Sequence, residues 1–217
     1  MSKKSRRVAK ARRALLALSL VLVTMLVAVG GTIAWLTDYT TPVTNTFSVG
    51  DIEITLQEHE YDDTKNELKD TTTTTGNENY KIVPGVDLPK DPYVTVAATS
   101  EACWLFVKIE ETDWSNHLTY TLDKTTQPGA TTAWAELADN PGVYFIKVDA
   151  TGENPANFNI LAKDEKGNSI TVSNQIKKDE ITGTPKLTFT AYACQQANVT
   201  DAATAWSNIQ ANLPTAP

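Results

Sequence analysis

Cysteine is scarce, two in 217 residues, which excludes a disulfide-stapled miniprotein. Glycine and proline, ten of each, are too few for a collagen-like repeat. With 41% hydrophobic and 21% charged residues, the chain is neither disordered nor a coiled coil. No internal repeat of about 20–50 residues is visible, which argues against solenoids and propellers. Acid is missing from one region: no Asp or Glu precedes Asp38. Seven of the 19 basic residues (Lys3, Lys4, Arg6, Arg7, Lys10, Arg12 and Arg13) lie in that acid-free stretch. The 183 residues after Ala34 therefore carry 19 less 7, or 12, basic side chains against 26 acidic ones, a net of −14. Such a body repels nucleic acid and anionic lipid, and no nucleic-acid partner is expected.

What is present begins with a leader. Residues 3–13 are basic, and Ala14 to Val29 form an apolar run broken only by Ser19 and Thr24. Gly30, Gly31, Thr32 and Ala34 follow as small residues. This three-part layout predicts a secretory signal cut between Ala34 and Trp35. An uncleaved membrane anchor is the other reading, since extension through Leu36 makes the run long enough to span. Either way the basic flank stays in the cytoplasm and the remainder is exported. The expected organisation is a signal peptide or membrane anchor at 1–34, an extended linker or donor strand at 35–45, and a β-sandwich domain at 46–217.

Beyond the leader the chain reads as short strands between turns. Ile170, Val172 and Ile176 alternate with polar residues, as do Leu187, Phe189, Ala191 and Ala193. Cys103, Leu105, Val107 and Ile109 line one face of a strand whose other face carries Trp104 and Phe106, predicting a central strand covered on both sides. Val143–Val148 and Tyr93–Ala98 are further strands. Pro84-Gly85, Pro128-Gly129, Pro141-Gly142 and Lys166-Gly167-Asn168 are turns. Apolar parity changes between Phe47/Val49 and Ile52/Ile54/Leu56, which predicts a bulge at Gly50-Asp51. The threonine run Thr71–Thr75 and the acidic stretch from Glu58 to Asp70 are expected to be solvated loops. One helix is predicted at the end, capped by Asp201, with Ala202, Ala205, Trp206 and Ile209 on one face and Pro214 after it. Leu105, Val107, Phe145, Phe189 and Trp206 are expected to be buried, sharing an interior with Ile52, Ile54 and Val172. The fold class is thus mostly β: an antiparallel sandwich of jelly-roll or Greek-key type, flanked by an N-terminal hydrophobic signal helix and a short C-terminal helix.

Catalytic constellations are sparse. His59 is followed by Glu60, but Asp63 stands where a zinc-protease helix would place its second histidine. His59 and His117 are expected at the surface. No phosphate loop or nucleophile elbow occurs. Asp62-Thr64-Asn66 lacks the glycine and glutamate of a calcium-binding EF-hand loop. No catalytic residue, metal ligand or cofactor is assigned. Cys103 and Cys194 both fall in the exported part, where a bridge can form. Their strand parities leave the alternative that the thiols do not face each other.

Three segments resemble one family. Gly30-Gly31-Thr32-Ile33-Ala34-Trp35-Leu36-Thr37-Asp38, followed by Thr44-Asn45-Thr46-Phe47-Ser48-Val49-Gly50-Asp51-Ile52, is similar to the N-terminal signature of TasA/camelysin-like exported proteins of Gram-positive bacteria. Pro84-Gly85-Val86-Asp87-Leu88-Pro89-Lys90 is similar to a turn that enters a strand in the same proteins. Phe189–Gln195 with the later Ala205-Trp206 resembles their C-terminal strand and helix. The resemblance implies processing by a dedicated SipW-type signal peptidase and a membrane-inserted precursor. It also implies a secreted or cell-surface sandwich that joins a biofilm matrix, with itself or other matrix proteins, as fibre or accessory. In such fibres the segment from Trp35 to Val49 would complete the sheet of a neighbouring copy. Camelysin-type members are classed as metallopeptidases, but this sequence supplies no zinc constellation. The expectation is a non-enzymatic structural protein, with an acidic adhesion or binding module, and then a metallopeptidase, as alternatives.

Overall fold

The computed structural model describes residues 37–39, 52–78, 80–177, 180–181 and 183–213. The chain divides after Leu36. Within Thr37–Pro217 the described residues are mostly β, with antiparallel pairing throughout and one helix. In chain order the strands are β1 (Thr37–Tyr39), β2 (Ile54–Asp62), β3 (Glu67–Thr73), β4 (Tyr93–Val96), β5 (Cys103–Thr112) and β6 (Leu118–Tyr120). They continue with β7 (Ala135–Glu136), β8 (Val143–Val148), β9 (Ala156–Asn159), β10 (Ile170–Val172) and β11 (Lys186–Gln195), and the helix α1 spans Ala202–Asn212. A five-stranded sheet runs β1-β11-β5-β8-β7, a four-stranded one β3-β2-β4-β9, and β10 pairs with β6.

Strand β5 lies centrally and is covered on both faces, as its sequence predicts. Its odd residues Cys103, Leu105 and Val107 are fully buried in a core shared with Ile54, Val94, Val96 and Phe158 of the four-stranded sheet. Ile52 and Val172 belong to the same core. Its even residues Trp104 and Phe106 point the other way, into a second cluster with Tyr192, Ala205, Trp206 and Ile209. Trp206 is therefore buried as expected, but on the opposite face of the sheet from Leu105. Phe145 is only partly buried beside that second cluster.

Helix α1 forms where its signals lie. Asp201 has extended backbone angles and accepts the Thr204 N–H at 2.8 Å, satisfying a donor the first turn leaves free. Ala202, Ala205, Trp206 and Ile209 are its buried residues. The Pro-Gly pairs sit in turns with glycine at positive φ. At Gly142 (φ +79°) a Cβ would come within 2.8 Å of the Ile109 carbonyl oxygen, so both the turn and the close approach require glycine.

Several expectations need correction. Thr71–Thr73 belong to β3, and the acidic stretch folds as a hairpin of β2 and β3 rather than a loop. Threonine favours pleated backbone, and at a sheet edge its polar side can face water while the ladder is satisfied. The hairpin carries a register irregularity between His59 and Tyr61. Strand β10 ends at Val172; Ile176 follows a turn and is buried all the same. Strand β4 ends at Val96, two residues short of the expected run. The expected bulge at Gly50-Asp51 lies outside the described residues.

Candidate functional site

Along one side of the fold a groove of about 660 Å³ opens between Thr55–Glu58 of β2 and the Thr184–Phe189 stretch that enters β11. Further walls come from Thr73 at the end of β3, from the segment after it, Thr74 to Glu78, and from Tyr80, Lys90 and Trp114. A volume of this order is typical of small-ligand clefts.

The base of the groove is ionic. Lys90 Nζ lies 2.7 Å from Glu58 Oε2, with the two side chains only 11% and 6% exposed. Breaking such a pair strands a charge away from water. The other carboxylate oxygen, Oε1, accepts the Asn77 backbone N–H at 2.7 Å. Lys90 Nζ also sits 5.4 Å from the Tyr80 ring centroid and 5.6 Å from that of Phe189, within cation–π range. Tyr80 stacks on Tyr61 with centroids 4.2 Å apart. Its Oη is buried. Burial, and then the negative charges of Glu58 and Asp91, hold the Tyr80 phenol far above its ordinary range.

One residue along, the polarity repeats in reverse. The buried Asp91 accepts from the His59 backbone N–H at 3.1 Å, lies 2.8 Å from His59 Nδ1, and pairs with Lys163 Nζ at 3.1 Å. Glu58-His59 on β2 thus faces Lys90-Asp91 on the strap before β4, with Lys90 against Glu58 and His59 against Asp91. The His59 side chain is 36% exposed and is tied down, because Asp91 accepts from its backbone and meets its ring. His117 is also partly buried and lies 3.4 Å from Glu180 Oε2. The composition could not reveal these pairs, because the partners are 32 or more residues apart.

The two cysteines do not form a bridge. Both are free and buried. Cys194 is paired in register with Trp104, and Cys103 with Gln195. Alternation then sets Cys103 in the inter-sheet core and Cys194 in the helix-side cluster, so the sheet itself separates the thiols. Burial pushes the Cys103 thiol up to about 12 and that of Cys194 to about 11.

Ala34 and Trp35, the expected cleavage pair, lie outside the described residues, as does the apolar run before them. Among the described residues no helix is long and apolar enough to cross a membrane. Among the same residues no group of three or more His, Cys, Asp and Glu side chains is placed to hold a metal ion. No family model, curated protein or solved structure matches the chain.

Proposed function

We propose that this chain is an exported structural protein of the cell surface or extracellular matrix. In this reading the two larger sheets are the layers of a jelly-roll or Greek-key β-sandwich, and a SipW-type peptidase cuts between Ala34 and Trp35. The proposal draws on the leader and on the three family-like segments. The observation that carries it is β1: residues Thr37–Tyr39, directly after the proposed cut, add to the edge of the five-stranded sheet beside Tyr192–Cys194. An edge strand held by three register pairs is readily exchanged for the same segment of another copy. Cleavage would act as the switch, because an uncut precursor keeps this segment tethered at the membrane.

Two measurements test the reading. N-terminal sequencing of secreted material should find Trp35 first; Met1 on the exported form would favour the anchor instead. A chain beginning at Trp35 should polymerise, by light scattering and electron microscopy, where one beginning at Thr46 stays monomeric. Equal behaviour of the two would defeat the strand-exchange idea. The groove between β2 and β11 favours a second reading, an acidic binding module. Such a protein would remain monomeric and be retained by a wall or host ligand.

A further inference from the structure

An exported protein whose two thiols are kept apart by a sheet lacks the usual covalent brace of its compartment. The base of the groove holds the components of a different one. Lys90 carries a primary amine, Asn77 a carboxamide, and Glu58 a carboxylate that meets the amine of the first and the backbone of the second. Lys90 Nζ is on Oε2 at 2.7 Å and the Asn77 backbone N–H is on Oε1 at 2.7 Å. Both Glu58 and Lys90 are buried, and the rings of Tyr80 and Phe189 flank the amine. A carboxylate in such surroundings is suited to carrying a proton from amine to leaving group.

The Asn77 side chain is held in a reactive setting as well. Its Oδ1 accepts the Tyr61 backbone N–H at 2.8 Å, and its Nδ2 donates to the His59 carbonyl oxygen at 2.7 Å. The first contact polarises the Cγ–Oδ1 bond and would stabilise negative charge arriving on Oδ1, as an oxyanion hole does. The second holds the amide plane fixed and sets the Nδ2 nitrogen against the strand.

We propose that Lys90 and Asn77 become joined by an intramolecular isopeptide bond, with Glu58 as the proton carrier. Glu58 takes a proton from the Lys90 ammonium, and the free Nζ lone pair adds to Asn77 Cγ. The electron pair of the carbonyl moves to Oδ1, where the Tyr61 N–H meets it. Glu58 then returns its proton to Nδ2 as the Cγ–Nδ2 bond breaks, and the second proton on Nζ goes with the departing group as ammonium. The product is a secondary amide between Nζ and Cγ, and the protein loses one ammonia. No oxidant, nucleotide or metal takes part. The bond would tie the segment after β3 to the strap that carries Lys90, closing a loop of 14 residues from Asn77 to Lys90 around the base of the groove. It would survive reducing conditions, unlike a disulfide.

Intact-mass spectrometry of the purified, folded full chain decides it. The expected mass is that of the sequence less one ammonia. Trypsin should then give residues 70–81 covalently attached to residues 82–108, with no cut after Lys90. Glu58→Gln and Asn77→Ser should each restore the full sequence mass and cleavage after Lys90. A full-mass wild-type chain, confirmed folded by circular dichroism, would overturn the proposal. So would loss of one water, which would mean direct condensation of Lys90 with Glu58, or an ammonia loss that persists in Asn77→Ser. The result is read on the wild-type protein, so a variant that fails to fold does not blur it.

Discussion

The five-stranded sheet is covered on both faces, and by different means. Toward the four-stranded sheet it presents mainly aliphatic side chains, with Leu105, Val107 and Ile146 at 0–1% exposure. Toward α1 it presents rings: Trp104, Phe106 and Tyr192, with Trp206 of the helix 5.3 Å from Phe106 and 5.2 Å from Tyr192. A second sheet seals a broad surface with many small contacts. A single helix of 11 residues offers only a narrow stripe, so each contact must be large. The polar tips of those rings then need partners near the rim. Trp104 Nε1 donates to the Val199 carbonyl and Trp206 Nε1 to Asn140 Oδ1. The same alternating strand thus serves a sheet with its odd residues and a helix with its even ones.

This contrast can be broken by mutation. Phe189→Ala, on the inter-sheet face, should cost about 3–5 kcal/mol in chemical denaturation. A cost below about 1 kcal/mol would mean that the face toward the second sheet contributes little. Trp206→Ala removes a side chain of similar burial, but its loss falls on a peripheral layer. It should cost less than the Phe189 change, and limited proteolysis should show α1 cut while both sheets persist.

The thiols report on each face separately. In the native protein neither should react with a thiol reagent at pH 8, since burial blocks access and keeps both thiols protonated. In Trp206→Ala, Cys194 should become labelled ahead of Cys103, because only Cys194 lies under the helix. Simultaneous labelling would mean that the two layers unfold as one unit.

The smallest effect is expected at the helix cap. Hydrogen bonds from the Thr204 backbone and side chain, and from the Thr200 hydroxyl, hold the Asp201 carboxyl below the usual carboxylate range. Its folded value is lowered, so its contribution is present above the unfolded value near 3.8 and is lost as pH falls through the folded one. Asp201→Asn should therefore flatten the acid limb of the helix signal in circular dichroism, with little change at neutral pH because asparagine also caps well. An unchanged acid limb would show that this cap does not contribute to holding the outer layer.

Much of this contrast is legible in the chain. Alternation in Cys103–Ile109 and in Leu187–Ala193 marks strands, and the rings at Trp104 and Phe106 mark the second covered face. Asp201 and the spacing of Ala202, Ala205, Trp206 and Ile209 mark the helix. The hairpin of β2 and β3 was not legible, because acidic and threonine-rich composition describes solvation and is silent about pairing. Nor was the groove, since Glu58, Asn77 and Lys90 come from three separate segments.

The sequence by itself determined what is local: the acid-free basic and apolar stretch before Asp38, the turns that need glycine, the strand parities and the capped helix. These follow from side-chain period and backbone sterics over a few residues. Tertiary structure alone decided which charges became buried pairs, that Cys103 and Cys194 lie on opposite faces, and that Trp206 closes the outer layer rather than the inner. Each of these depends on the register between strands distant in sequence, and register is set by burying both faces of the sheet at once.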